Sequence, residues 1–440
     1  MYYVLKLRYV RLITILLAVT LISTSSMAMV PTDEKHMAKN DRLVVSISDD
    51  DVLQSVKRLA ESQGSKVKFI PEIKTVLLTN WNGKLKQSLK GLDGVLAIEA
   101  ERKASMMFTP NDPYYAISQW GLQKIEAASA WDFTKGSSSV VVAVLDTGID
   151  YTHDDLTANM WRDSSNKYGH DFINDDDDPM DDNVNGYESG SWVPNVFIYH
   201  GTHVAGVVGA VMNNGIGIAG VAQVKLMAVK VMNDSGEGTD ASVAEGIVYA
   251  VNNGANIITM SLGVESSTMV LSSAIRMAQD NNIVCIAAAG NDGSGSISYP
   301  AAYPSVIAVG ASDQLDHRVS FSNYGAGLDV MAPGTRIWSS KRGDTYQELS
   351  GTSTATPFVA GIAALMLSVN PALTAPEIGG IINETATDIG TSGWDSSTGW
   401  GVVNAKKAVM AVSGPAATIT NYPSTLRPNS TITVSWTISG

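Results

Sequence analysis

Along residues 42–99 apolar positions recur every second residue, then every third or fourth, and then every second again. The segment "RLVVSI" reads as a strand. "DVLQSVKRLAES" places Val52, Leu53, Val56, Leu59 and Ala60 on one helical face. Two strands, "KVKFI" and "KTVLLT", a helix around "KLKQSLKGL" and a last strand, "GVLAIEA", complete the run. The order βαββαβ predicts a small split-βαβ module. The stretch "ERKASMMFTPNDP" that follows has no period and marks a boundary.

Residues 114–412 follow a different rule. Continuous apolar runs, "VVVAVLD", "KLMAVKVM", "ANIITMSLG", "NIVCIAAAGN" and "SVIAVGAS", alternate with helical patterns such as "DASVAEGIVYAVNNG" and "SSAIRMAQDN". Strands that are apolar on both faces belong to a parallel sheet covered by helices on both sides, so the predicted class is a doubly wound α/β domain. Ligands in such sheets gather at the carboxyl ends of strands. Beyond Ser413, Ile432, Val434, Trp436 and Ile438 alternate with polar residues, predicting a linker and the first strands of a β-sandwich. One or two strands bury no core, which leads us to expect a longer native chain.

At the amino end, Lys6, Arg8 and Arg11 precede the apolar run 12–22 and the small residues Ser26 and Ala28. This is the pattern of an export signal, with cleavage expected after Ala28. The alternative, a membrane anchor, needs about 20 apolar residues, more than this run supplies. The chain therefore divides into 1–28, 29–108, 109–412 and 413–440, and the product is expected to be extracellular, soluble and monomeric.

Composition sharpens the picture at two points. Cys285 is the sole cysteine of 440 residues, so an exported protein must be braced by something other than cystine. Within "IVCIAAAGN" it reads as a small buried strand residue rather than a nucleophile. The net charge of −13 is uneven: residues 1–108 carry 16 Lys and Arg against 11 Asp and Glu, and the remainder 14 against 32. Opposite charges let the two parts attract, and the acidity argues against a nucleic-acid partner.

Three polar residues stand where apolar segments begin or end. Asp146 closes "VVVAVLD", His200 opens "HGTHVAGVVGAV", and Ser353 opens "TATPFVAGIAALML" behind a glycine turn. Taken singly, each has a plainer reading, as a turn cap, a packed histidine or an N-cap. Together they suit nucleophilic catalysis: a hydroxyl needs an imidazole to take its proton, and the imidazole needs a buried carboxylate to hold it. A helix start also favours the oxyanion that forms when Ser353 attacks a carbonyl.

The motifs "DTGID", "HGTHVAG", "AAAGN" and "SGTSTATP" resemble those of the subtilisin-like serine proteases, which carry their triad in this chain order. "NDPYYAISQWGLQKIEAASAWD" is similar to the start of the thermitase-like branch. The resemblance spans 109–412 and implies a secreted endopeptidase with His200 as base, His203 structural, and Asn291 beside the Ser353 N–H in the oxyanion hole. It further implies peptide pairing along Ser261, Leu262 and Gly263, and an open apolar pocket at Ala288, Ala289 and Gly290 that suits large apolar side chains. Residues 29–108 become a propeptide that assists folding and then inhibits, with self-cleavage between about Ala104 and Asn111. Thr354 stands where methionine is usual, Phe358 where histidine is common, and residues 183–199 lengthen the link before His200.

The run "DFINDDDDPMDD" carries seven carboxylates in twelve residues and would be relieved by a hard cation, unless it is simply a solvated acidic loop. The resemblance assigns Asp171, Asp176 and Asp178 to one calcium. A second would take Asp112, Asp155 and Asn214 with the carbonyls of Val211, Ile216 and Ile218. Calcium at two or more structural sites, and no organic cofactor, is the expectation. "GIGIAG" at 215–220 spells a dinucleotide fingerprint, but a helix precedes it and a strand follows, the reverse of what that site requires. Three rivals stand beside the protease: an esterase, which lacks G-x-S-x-G, a zinc peptidase, which lacks H-E-x-x-H, and a binding protein on an inactive protease scaffold.

Overall fold

The computed structural model describes residues 42–101, 108–182, 187–188, 191–192, 199–413, 416–419 and 436–439. The predicted signal segment, residues 104–107 of the expected cleavage region, most of the 183–199 insert, and Ile432 and Val434 lie outside the described residues. Two units divide at Ser105 and Met106.

In the first unit the predicted periods become β1 (Leu43–Ile47), α1 (Asp50–Ser62), β2 (Lys66–Ile70), β3 (Thr75–Thr79), α2 (Gly83–Lys90) and β4 (Val95–Ala100). The strands form an antiparallel sheet in the order β2-β3-β1-β4. Asp49 caps α1 by accepting from the Val52 N–H, and the helix buries Leu53, Val56 and Ala60. These meet Leu43, Val45, Val76 and Leu78 of the sheet in a single core.

The second unit opens with two short helices, α3 (Trp120–Lys124) and α4 (Ala127–Trp131). Next come β5 (Val141–Asp146), β6 (Gly169–Asp171), the two-residue strands β7 (Tyr187–Glu188) and β8 (Ser191–Trp192), and α5 (His200–Gly209). The middle of the unit holds β9 (Lys225–Lys230), α6 (Asp240–Asn252), β10 (Ile257–Met260), α7 (Met269–Asp280), β11 (Val284–Ala288), β12 (Val306–Ser312) and β13 (Val330–Pro333). A hairpin of β14 (Ile337–Lys341) and β15 (Thr345–Leu349), which the sequence reading did not anticipate, leads into α8 (Thr352–Val369), α9 (Ala375–Thr385) and α10 (Ala405–Val412). Last come β16 (Ala416–Ile419) and β17 (Trp436–Ser439), which pair antiparallel.

Seven strands form an all-parallel sheet in the order β13-β12-β11-β10-β5-β9-β6. Alternate residues serve opposite faces, as a pleated strand requires. Val142 and Val144 of β5 join a layer with Val204 of α5 and Val359 of α8, whereas Ala143 and Leu145 join Ile247 of α6 and Ile275 of α7. This is the predicted doubly wound fold. Strand order reverses about β5: β9 and β6 lie to one side and β10 to β13 to the other. The carboxyl ends of β5 and β10 therefore flank the switch point.

Among the described residues α8 alone is long and apolar enough to span a bilayer, yet it is 89% buried within the protein and is a core helix. Cys285 faces the α6–α7 layer on β11, and burial pushes its thiol up to about 12, in keeping with an inert packing role.

Candidate active site

The carboxyl end of β5 is held between β9 and β10, which fixes Asp146 on the rim of the sheet. Its carboxylate is fully buried, and its Oδ1 lies 2.8 Å from His200 Nδ1 and accepts the Thr147 N–H at 2.8 Å. His200 is the first residue of α5. Gly201 lets that helix start sit against the β5 turn, because a Cβ there would lie 2.1 Å from the Gly148 carbonyl oxygen and 3.0 Å from Asp146 Cβ. Burial disfavours the imidazolium of His200, but the Asp146 carboxylate outweighs it and holds the ring above its ordinary 6.5. His203, one turn along, bonds through Nε2 to the Ile337 carbonyl, and burial pushes it down to about 3, so it stays neutral.

Ser353 enters from α8. Its N-cap, Gly351, has no side chain to cap it; the Gly351 carbonyl takes the Thr354 N–H at 3.2 Å, and the N–H groups before that one lie ahead of the helical ladder. The Asn291 side-chain oxygen takes the Thr352 N–H at 2.8 Å and the Thr352 hydroxyl at 2.9 Å, leaving the Asn291 Nδ2 as the donating end. Gly351 keeps the space between that amide and the nucleophile open: a Cβ there would lie 2.9 Å from Ser353 Oγ and 3.6 Å from Asn291 Nδ2. Further along α8, Pro357 has no N–H for the carbonyl four residues before it, which is that of Ser353. The Ser261 hydroxyl supplies the missing donor, at 2.8 Å.

These side chains share one cleft of about 290 Å³, whose lining includes His200, Ser353 and Asn291 together with Ser261, Leu262, Gly263, Ala288 and Gly290. The Subtilase family of S8 peptidases matches residues 137–401. The chain belongs to the subtilase family. The subtilase is 43% identical over 306 residues to thermitase of Thermoactinomyces vulgaris, covering 69% of this chain and all of that one. It is 43% identical over 303 residues to a thermophilic serine proteinase of Bacillus sp. strain AK1, 69% of each chain, and 42% identical to subtilisin Savinase of Lederbergia lenta, 66% and 97%. Among solved structures it is similar to a protease from Pseudoalteromonas arctica PAMC 21717, with a TM-score of 0.60, 34% identity, and 70% and 100% coverage. It is a thermitase-like subtilase and a serine endopeptidase.

Two expectations need correction. Ala289 does not line the cleft: the residue after Ala288 turns to the opposite side, is fully buried in the α6–α7 layer, and bonds its N–H to the Val309 carbonyl. Ser298 and Met232 border the space instead. Nor do the side chains of Asp171, Asp176 and Asp178 gather as one cluster, although Asp171 and Asp176 exchange both backbone hydrogen bonds at 2.9 and 3.0 Å. Asp171 accepts from the Ile173 and Asn174 N–H groups, Asp176 from the Asp178 N–H, and Asp178 from the Tyr151 hydroxyl. Among the described residues no group of three or more His, Cys, Asp or Glu side chains is gathered for a metal. The other proposed set does come together in part: Asp155 Oδ1 accepts the Asn214 amide at 2.7 Å, and Asp112 accepts the Asn213 and Asn214 N–H groups.

Sequence reasoning missed two buried charged residues behind Asp146: Asp181 and Lys230. Asp181, placed in the acidic run, is fully buried and bonded to Thr147 and Thr202. Lys230 is buried at the end of β9, with its ammonium on the Thr147 carbonyl at 2.7 Å and Asp182 at 2.9 Å. A lysine inside the apolar run "KLMAVKVM" was the available signal.

Proposed function

We propose that the subtilase cleaves peptide bonds through an acyl-enzyme on Ser353. The observation that carries this reading is the buried Asp146–His200 pair, 2.8 Å apart, whose histidine lines the same cleft as Ser353 and Asn291. With Nδ1 committed to Asp146, proton transfer from the Ser353 hydroxyl falls to Nε2. Attack on the carbonyl builds negative charge on its oxygen, which the Ser353 N–H at the start of α8 and the Asn291 Nδ2 stabilise. His200 then returns the proton to the leaving amine, and water repeats the sequence to release the acid. Ser261, Leu262 and Gly263 at the end of β10 pair with an extended substrate by β-addition. Ala288 and Gly290 beside them suit a large apolar side chain.

The protein is made for export, with 1–28 removed and 29–108 acting as a folding aid and inhibitor of the mature domain. The βαββαβ order of residues 42–100 and the opposite charge of the two parts support this. The chain is also similar to a protein named the halolysin-like extracellular serine protease Nep, of Natrialba magadii. Calcium braces the fold at Asp112, Asp155 and Asn214 with the carbonyls of Val211, Ile216 and Ile218. Burial pushes both carboxyls up, and an all-oxygen set of this kind fits a hard divalent ion. The ion's contribution is structural, and no step of hydrolysis passes through it.

Treating the secreted protein and a Ser353→Ala variant with a fluorophosphonate, and assaying casein and simple esters, tests the reading. Labelling of Ser353 with casein turnover is the expected result. Turnover of esters alone would move the protein to the esterases, and absence of labelling would leave a binding protein on an inactive scaffold. Full-length precursor persisting only in the variant would establish self-processing.

A further inference from the structure

Beyond the triad, and resting on that reading of it, lies a second carboxylate. Asp181 is fully buried, and three donors converge on its two oxygens. Oδ1 accepts the Thr147 hydroxyl at 3.0 Å, and Oδ2 accepts the Thr202 N–H at 2.9 Å and the Thr202 hydroxyl at 2.6 Å. Each hydroxyl already has an N–H donor of its own. Thr147 Oγ1 already accepts the Gly201 N–H at 2.9 Å, and Thr202 Oγ1 accepts the Asp150 N–H at 2.9 Å, so each gives its single proton to Asp181. A carboxylate accepts at both atoms, whereas an amide in the same place offers one accepting oxygen and one donating nitrogen.

Both threonines abut the catalytic pair. The Thr147 N–H bonds the same Asp146 oxygen that meets His200, while Gly201 and Thr202 are the two residues after His200. We propose that Asp181 is a positioning residue of the endopeptidase: its carboxylate ties the end of β5 to the start of α5, fixing Asp146 against His200, and its charge backs the imidazolium formed when Ser353 gives up its proton. The charged and titratable groups around this centre are few. Asp146 faces His200 from β5, Asp181 from the loop before the insert, and neutral His203 from the same helix. Lys230 of β9 reaches the Thr147 carbonyl and Asp182. Burial pushes the Asp181 carboxyl up to about 7, and Asp146 adds to that rise. Asp181 in turn raises His200, behind the larger influence of Asp146. Two acids that each favour the protonated ring act together when it charges.

The test uses the secreted full chain as wild type, Asp181→Asn, Thr147→Val and Thr147→Ser. Fluorophosphonate labelling of Ser353 is followed against pH, and kcat and KM are measured per titrated site on a chromogenic peptide with a large apolar P1 residue. We expect Asp181→Asn to lose about tenfold or more in kcat, a part of what general-base catalysis supplies, with KM held within roughly twofold. The acid limb of labelling should move down by roughly half a pH unit or more, since a negative charge has been removed from beside the imidazolium. Thr147→Val should fall between, and Thr147→Ser should restore wild-type values. A folded Asp181→Asn protein with an unmoved limb, or with its loss confined to KM or to thermal stability, would reduce Asp181 to a structural anchor and overturn the proposal. Should Asp181→Asn yield no folded protein, the threonine pair decides, and Thr147→Val with full kcat, or Thr147→Ser without rescue, would overturn it equally. Failure of the wild type to label at Ser353 is a different result, because it removes the triad reading itself.

Discussion

Replacing Ser261 by alanine removes one hydroxyl, and the structure sets the consequence. The Ser353 carbonyl is buried inside α8, and Pro357 withholds the N–H that would ordinarily bond it. The Ser261 hydroxyl at 2.8 Å is its donor among the described residues. A buried acceptor stripped of its donor costs about 1–3 kcal/mol. With unfolding entropy near 2.1 cal/mol/K per residue, a domain of about 300 residues should lose roughly 2–5 °C in Tm. Thermal scans on the fluorophosphonate-inactivated enzyme, which cannot digest itself, read that loss directly. Pro357→Ala supplies the reasoning with its control, since the new N–H lies four residues after the Ser353 carbonyl and can replace the lost hydroxyl. The double variant should therefore recover most of what Ser261→Ala loses relative to its own Pro357→Ala parent. A Ser261→Ala protein with unchanged Tm, or a loss as large in the Pro357→Ala background, would refute the argument.

Asn291→Ala should lower kcat by about 10²- to 10³-fold with little change in KM, a magnitude that comes from measurements on subtilisin itself rather than from the present geometry. Because Asp146 holds His200 above 6.5, kcat/KM should fall on acidification with an apparent pKa above that value, and an acid limb at or below 6.5 would contradict it. Chelation should lower Tm, with calcium at a hundredfold excess over Kd restoring about 2.7 kcal/mol; Asp155→Asn should abolish that dependence, and calorimetry with and without calcium checks both. Thr354, within α8, bonds its hydroxyl to the Gly351 carbonyl and puts no sulfur next to the nucleophile, so Thr354→Met should add oxidant sensitivity beyond that of Met232 at the cleft border, measured as residual turnover after peroxide exposure.

The period of the apolar residues carried most of the architecture. In "VVVAVLD" or "NIVCIAAAGN" both faces are apolar because helices cover both, and that depends on nothing beyond the strand itself. The same logic pointed to Asp146, His200 and Ser353, which stand at or near the edges of apolar runs. It failed where direction is decided from afar. Seven carboxylates in "DFINDDDDPMDD" look alike in the chain, yet Asp175 is exposed while Asp181 is buried by hydroxyls 34 and 21 positions away. Ala289 failed for a smaller reason: the pocket wall is a strand end, and a shift of one residue exchanges the cleft for the core. The β14–β15 hairpin escaped notice because "RIWSSKRGDTYQEL" is polar enough to read as loop; it gains its order by lying beside α5.

The solitary sulfhydryl on β11 has a practical side. Cys285 is sealed in the interior and its thiolate is strongly disfavoured, so thiol-directed reagents should not reach it in the native enzyme. A cysteine introduced at any solvent-facing position would be the molecule's sole accessible handle. Dyes, spin labels or surface tethers could then be attached at one chosen point, with no background site to remove beforehand.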